Sequence, residues 1–216
     1  GTKKAIYLIG SISSKTKLAA SAYLARARGI DLTPYAKILS EATGNETNVY
    51  VRMNLARALG KVKDNFSLET LTKLIKGDND HRIKIAAINA LKIFPYDSIK
   101  TIVITSVNDS NSSVSYTAAE FIANNGKPAD APTYINAARS CKEWRTRASL
   151  FSAALKFSND SSKRYLSNEI INIYKNADNL YEKCALLAAL SQYVNNYLFI
   201  AEQTFSSNNV VVGSYG

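Results

Sequence analysis

The sequence has little of the chemistry that metal sites and catalytic centres need. Its 216 residues hold one histidine and two cysteines, and neither Cys141 nor Cys184 belongs to a Cys-x-x-Cys pair. These are too few nitrogen and sulfur ligands for a structural zinc site. The glycine patterns of phosphate-binding loops and of the nucleophile elbow are also absent. We therefore expect no metal, no cofactor and no catalytic residue in this chain, and we expect that it is not an enzyme.

Proline and long apolar runs are scarce as well. Four prolines and nine glycines in a chain that is 46% hydrophobic argue against disorder. No run of about 18 apolar residues occurs, so we expect no transmembrane segment. The sequence begins at Gly1 without a methionine, which we interpret as a cut end. The compartment and a Cys141–Cys184 disulfide therefore both stay open.

Positive charge is abundant and unevenly distributed. Residues 1–108 carry 17 Lys and Arg against 8 Asp and Glu, whereas residues 109–216 carry 10 against 9. A basic half attracts an anionic partner, nucleic acid included, but lysine and arginine also serve simply to keep exposed helix faces soluble.

One apolar pattern recurs along the chain. Val51, Leu55, Ala58 and Leu59 follow the spacing of a single helix face. The same template begins again at residues 83, 114, 146 and 182, so successive copies are separated by 32, 31, 32 and 36 residues. Another amphipathic stretch precedes each copy, and Asp, Asn and Ser residues mark the turns between them. The repeating unit is therefore predicted to be a helical hairpin, a first helix followed by a second helix.

A single hairpin cannot cover its own apolar stripe, so neighbouring hairpins must stack and share a core. We expect one repeat domain over residues 1–216, with an irregular repeat at about 1–46 and regular repeats at about 47–206. Three helices are predicted in the irregular part, which indicates an insertion. Residues 209–212 resemble the opening of another second helix, and both ends resemble cuts through a longer array. Alanines are expected to bring successive second helices close together: Ala56, Ala58, Ala86, Ala87, Ala118, Ala119, Ala153, Ala154, Ala188 and Ala189.

Val51-Arg52 followed by Ala58-Leu59-Gly60 resembles the second helix of HEAT repeats, and the resemblance covers about residues 30–206. It implies an all-α fold, a right-handed α-α superhelix (α-solenoid) of about five to six HEAT-like hairpins. In that family, an Asp near the turn and a basic residue early in the second helix tie repeats together. Asp80 with Arg52 or Lys84 is the pair that the resemblance suggests.

The resemblance also implies that second helices line a concave binding face. The candidates for binding a partner are Arg52, Arg57, Lys61, Lys84, Trp144, Arg145 and Arg147. Trp144, the one tryptophan, has two interpretations. An aromatic ring between arginines suits a binding surface, but the same ring also suits a plug between repeats.

Three functions follow from this resemblance. The first is a non-catalytic scaffold that binds a protein partner on an extended surface, as one arm of a larger protein. The second is nucleic-acid binding, since HEAT-type alkylpurine DNA glycosylases are basic, helical and of similar length. The third is a set of accessory repeats attached to a cyclophilin-type prolyl isomerase domain outside this chain.

Overall fold

The computed structural model describes residues 1–206, which form thirteen α-helices and contain no β-strand. Four short 3-10 turns join some of the helices: Thr33–Tyr35, Leu91–Ile93, Pro128–Asp130 and Val194–Asn196. The α-helices are α1 (Thr2–Leu8), α2 (Ser14–Arg26), α3 (Ala36–Asn45), α4 (Val49–Leu59), α5 (Asn65–Gly77), α6 (His81–Ala90), α7 (Tyr96–Ser106), α8 (Ser112–Asn125), α9 (Ala131–Ser140), α10 (Trp144–Phe157), α11 (Asp160–Asn176), α12 (Leu180–Leu190) and α13 (Tyr197–Ser206). The predicted all-α repeat fold is confirmed.

A polar cap begins every predicted second helix. Asn48, for example, accepts hydrogen bonds from the backbone N–H groups of Tyr50 and Val51 at 3.0 and 3.2 Å. Such a cap satisfies backbone donors that the first helical turn leaves free. The equivalent caps of the second helices, which also accept through their side chains, are Ser13, Asn48, Asp80, Asn111, Glu143 and Asn179. Each of the five helices with an apolar template therefore begins two residues before that template.

Helix contacts divide the chain into two compact units, one covering Gly1–Ser106 and one that begins at Val107. In the first unit, α4 packs against α2 on one side and α6 on the other, which makes a layer of second helices. The first helices make the other layer, in which α5 contacts both α3 and α7. The core lies between the layers, and Val51, Leu55 and Leu59 are at most 1% exposed.

The second unit repeats this arrangement around α10. This helix packs against α8 and α12, its neighbours among the second helices, and against α9 and α11 among the first helices. Leu150, Ala153 and Ala154 on α10 are completely buried. The predicted alanines are buried in both units except Ala188, which is exposed.

The N-terminal segment is more regular than its sequence suggests. Because α2 packs against both α1 and α4, it is the second helix of a hairpin, and α1 is its first helix. The three predicted helices are present, but the third, α3, begins the next hairpin. A long connection therefore explains the spacing without an inserted helix. This connection contains Gly29, whose φ of 68° lies in the left-handed region that favours glycine. The predicted helix opening at residues 209–212 lies outside the described residues.

Two ion pairs with the same arrangement join successive hairpins of the first unit. Lys17, four residues after the cap of α2, donates to Glu46 at 2.8 Å, and Arg52, four residues after the cap of α4, lies 2.9 Å from Asp78. Both carboxylates also accept the N–H of the following helix cap. The suggested pairing of Asp80 with Arg52 is wrong, because Arg52 pairs with Asp78, while Asp80 caps α6 and pairs with Arg82 on the same helix.

In the second unit, other types of side chain join the successive hairpins. Ser115 occupies the basic position of α8, and its hydroxyl lies 3.0 Å from that of Thr146 on α10. Arg147 on α10 pairs with Glu182 on α12. Polar ties between successive hairpins are therefore kept where the basic residue or the turn carboxylate is missing, and there they join the second helices directly.

Replacing Arg52 with methionine is expected to destabilise the fold by about 2 to 3 kcal/mol, because Asp78 would be left without its cation. The side chain of Asp78 is only 5% exposed, and Arg52 also donates to the backbone carbonyl of Glu46 at 2.7 Å. Arg82→Met is the matched control. Its pair with Asp80 is local and 43% exposed on the arginine side, so water screens it and the expected loss is much smaller than that of Arg52→Met. Urea unfolding of both variants measures the difference; equal losses would contradict the role of Arg52 as a tie.

Candidate functional site

The seven predicted binding residues do not form one surface patch. Arg57 and Lys61 line a groove in the first unit, and Trp144 and Arg145 line a groove in the second. Arg52 and Arg147 belong to the ties between hairpins described above. Lys84 is half-buried on α6 and lines neither groove.

The groove of the second unit, here called the aromatic groove, crosses the second helices α8, α10 and α12 and has a volume of about 510 Å³. Aromatic rings stand around a floor of small residues. The groove is lined by Tyr116, Glu120, Trp144, Arg145, Ala148, Ser149, Ser152, Tyr181, Ala185, Ala188, Ala189, Ser191 and Gln192.

Contacts between α8 and α10 order one wall of the aromatic groove. The guanidinium of Arg145 lies 4.4 Å from the centre of the Tyr116 ring, within the range of a cation–π interaction. Next to it, the Ser149 hydroxyl donates to the carboxylate of Glu120. Burial, assisted by the charge of Glu120, raises the pKa of Tyr116 above its usual value. This phenol therefore stays protonated and able to donate a hydrogen bond at neutral pH.

The other aromatic side chains of this groove are accessible. Trp144 is half-buried, and it lines the groove at the start of α10. Tyr181, at the start of α12, is 63% exposed. The groove is also lined by Ala148, Ala185 and Ala188, whose short side chains leave the backbones of α10 and α12 open to close approach. Trp144 therefore contributes part of its side chain to the groove and buries the rest.

A second groove, here called the basic groove, lies on α4 and α6 of the first unit and has a volume of about 330 Å³. It contains four cationic side chains and no carboxylate among its lining residues. The groove is lined by Ala25, Arg57, Gly60, Lys61, Arg82, Ile85, Ala86, Asn89, Ala90 and Lys92.

Lys61 is the most constrained of these cations. Its ammonium group donates to the carbonyls of Leu24 and Ala27 at the end of α2, both at 2.7 Å. Lys156 makes the equivalent bond in the second unit, to the carbonyl of Ala123 at 2.9 Å. A cation at this place is stabilised by the free carbonyls and dipole of a helix C-terminus. Burial lowers the pKa of Lys61 from its usual value.

Both grooves use the same positions of the second helices. Nine residues after each cap stand Arg57 and Asn89 in the basic groove, and Glu120, Ser152 and Ala188 in the aromatic groove. Two residues after the cap stand Arg82, Arg145 and Tyr181. Sequence reasoning missed Arg82, Lys92 and Tyr181 as groove residues. The spacing from each polar cap is the signal that identifies Arg82 and Tyr181.

Other reactive side chains lie apart from these grooves. His81 is exposed at the first position of α6. Both cysteines are free thiols, so the possible disulfide is absent, and burial raises the pKa of each. Within residues 1–206, no group of three or more His, Cys, Asp or Glu side chains has an arrangement that could hold a metal ion. In the same range, no helix is both long and apolar enough to cross a bilayer.

Comparison with known proteins agrees with this architecture. The complex of CpcE and CpcF of phycocyanin lyase from Nostoc sp. PCC7120 contains a similar chain, with a TM-score of 0.60 and 15% identity over 95% of this chain and 83% of that one. An engineered protein is similar with a TM-score of 0.58 and 18% identity over 88% of this chain and 97% of that one. At such identities the likeness concerns the fold alone.

No curated protein matched the sequence. A family model of HEAT repeats matches residues 7–92, so the match begins before residue 30, where the resemblance was expected to start. It includes α2 and α3, in agreement with the regular hairpins that the structure has there. The chain is therefore an all-α helical-repeat protein, and its residues 7–92 match the family model of HEAT repeats.

Proposed function

We propose that this protein is a non-catalytic scaffold that binds an extended segment of a partner protein in the aromatic groove. One observation carries the proposal. A single groove is lined by three aromatic rings and one guanidinium group, those of Tyr116, Trp144, Tyr181 and Arg145, together with several alanines. Tryptophan, tyrosine and arginine are the residues most enriched among those that dominate protein-binding energy.

The composition of the groove favours a peptide over a purely apolar ligand. Trp144 and the tyrosines offer large rings that lose little conformational entropy on binding. Glu120, Ser149 and Gln192 provide donors and acceptors for the backbone of a partner chain. A volume of about 510 Å³ lies in the range of sites that bind ligands in surface clefts.

The repeat architecture supports the same proposal. Stacked hairpins present equivalent positions of successive helices side by side, which produces an extended surface from short units. In this chain the three second helices of one unit each contribute to a single groove. The chemistry of that groove supports binding by contact and hydrogen bonding, without a reaction step.

Peptide selection provides the test. Random peptides displayed on phage are selected against the protein, and the selected peptides are synthesised with a fluorescent label. We expect the double variant Trp144→Ala, Tyr181→Ala to bind them about tenfold more weakly or worse, because both rings lie at the centre of the contact. Fluorescence anisotropy measures the dissociation constants.

Tyr165→Ala is the matched control, since Tyr165 is 67% exposed on the first helix α11 and lies outside the groove. Its affinity for the same peptides is expected to stay within about twofold of the unmodified protein. Circular dichroism checks that all variants keep their helices. Peptides that tolerate the loss of Trp144 and Tyr181, or a selection that enriches no peptide, would refute the proposal.

A further inference from the structure

We infer that the basic groove of α4 and α6 is a second binding site, and that it takes an acidic segment of a protein, rich in Asp and Glu. This inference concerns a different groove from the aromatic one and does not depend on peptide binding there. It begins from Arg57 and Lys92, which line the groove and are exposed. Within the described part of the chain, neither of them has an ion pair or a hydrogen bond from its side chain.

The other two cations are held in place at the same groove, although the charge of Arg82 is largely balanced by the carboxylate of Asp80. Arg82 is held by Asp80 at 2.7 Å and stacks on the Tyr50 ring at 5.2 Å, so its guanidinium is positioned before any ligand arrives. Lys61 is anchored by the carbonyls of α2. One small groove is therefore lined by two cations in fixed positions, Lys61 and Arg82, and by two exposed cations, Arg57 and Lys92. An incoming carboxylate finds charge-assisted donors that require little reorganisation.

The floor of the groove strengthens this preference. Besides the cations, the groove is lined by small or apolar residues, among them Gly60, Ile85, Ala86 and Ala90. Such apolar surface reduces the local dielectric, so an ion pair made above it is stronger than one in open water. It also accommodates the methylene groups of Glu side chains. The groove thus suits a short carboxylate-bearing segment.

Two observations favour an acidic protein segment over nucleic acid. No aromatic ring is among the described residues that line the basic groove, and the neighbouring Tyr50 ring is already stacked on Arg82. Proteins that bind single-stranded nucleic acid, in contrast, usually stack bases on aromatic side chains. Binding along a duplex or a strand also requires a continuous track of phosphate contacts. The positions equivalent to Arg57 in the later second helices are Asn89, Glu120, Ser152 and Ala188, so its charge is not continued.

The test uses a fluorescein-labelled peptide of about ten residues that alternates Glu and Ser, with a twin in which Gln replaces Glu, at about 50 mM salt. We expect the acidic peptide to bind the protein and the neutral twin to bind at least about tenfold more weakly. The double variant Arg57→Glu, Lys92→Glu is expected to lower the affinity for the acidic peptide by about tenfold or more. Arg57→Gln with Lys92→Gln removes the charges without reversing them and is expected to give an intermediate loss. This milder variant also keeps the test decisive if the reversal disturbs folding.

The matched control is Lys63→Glu with Lys76→Glu. Both lysines are exposed in the same unit and line neither groove, and Lys76, like Arg57, lies in the last turn of its helix. This control changes net charge by the same amount, so equal losses in both reversals would overturn the inference in favour of general electrostatics. Equal binding of the acidic and neutral peptides would overturn it too. A thymidine oligonucleotide of similar length that binds more tightly than the acidic peptide, and that depends on Arg57 and Lys92, would reassign the groove to nucleic acid.

Discussion

Replacing Gly60 with alanine is expected to destabilise the first unit by about 2 kcal/mol, since overpacking a close contact costs about 1 to 3 kcal/mol. A Cβ atom on Gly60 would lie 2.8 Å from the Cβ and 2.9 Å from the Cα of Ala90. Such distances force α4 and α6 apart, and these helices belong to consecutive hairpins. Thermal or urea unfolding, followed by circular dichroism, measures the loss.

Gly44→Ala is the control for this substitution. A Cβ there meets nothing within 4 Å, and Gly44 lies inside α3 with no positive φ. Alanine is therefore expected to leave stability unchanged or to raise it by about 0.5 kcal/mol, through the lower entropy of the unfolded chain. Adding Ala90→Gly to the Gly60 variant should recover part of its loss. A Gly60 variant as stable as the Gly44 variant would show that α4 and α6 are less closely packed than described.

Replacing Phe151 with alanine is expected to cost about 3 to 5 kcal/mol, which is the usual result of emptying a buried aromatic site. Phe151 is 1% exposed on α10, the helix that packs against α8, α9, α11 and α12. Phe66→Ala removes the same side chain from a position that is 50% exposed on α5, and a loss below about 1 kcal/mol is expected there. Similar losses at the two positions would contradict the shared core around α10.

These two variants also test the prediction of one repeat domain. Gly60 lies in the first compact unit and Phe151 in the second. If the repeats unfold as one cooperative array, both substitutions lower the midpoint of the same transition. If each unit unfolds separately, each substitution shifts its own transition and leaves the other in place. The second outcome would replace the prediction of one domain by two.

The sequence was sufficient to predict the repeat, because the repeat appears in the sequence as a regular spacing of apolar residues. The five apolar templates predicted five second helices, and all five are present. Gly60, part of the HEAT-like signature, explains why even a short motif was informative, since its missing side chain permits the contact with Ala90. The packing of the N-terminal helices could not be predicted, because spacing along the chain does not reveal which helix packs on which. Contacts of α2 with α1 and α4 resolve it.

Side-chain pairing was harder to predict than helices. Asp78 and Asp80 are two residues apart on either side of a turn, and sequence alone does not decide which one faces Arg52. The same limit applies to the grooves. Lys92 follows α6 in a 3-10 turn, and only the folded chain brings it beside Arg57 on α4. The shape of a groove depends on the distances between side chains on different helices, and the apolar periodicity of the sequence carries no information about these distances.

We propose that the second helices, and not the first, carry the binding surface. Hydrogen–deuterium exchange with a peptide selected on the protein tests it most directly, because bound backbone amides and their neighbours exchange more slowly. We expect slower exchange in the second helices Ser112–Asn125, Trp144–Phe157 and Leu180–Leu190, with little change in the first helices Ala131–Ser140 and Asp160–Asn176. Slower exchange confined to these last two helices would place the partner on the opposite layer and contradict the account.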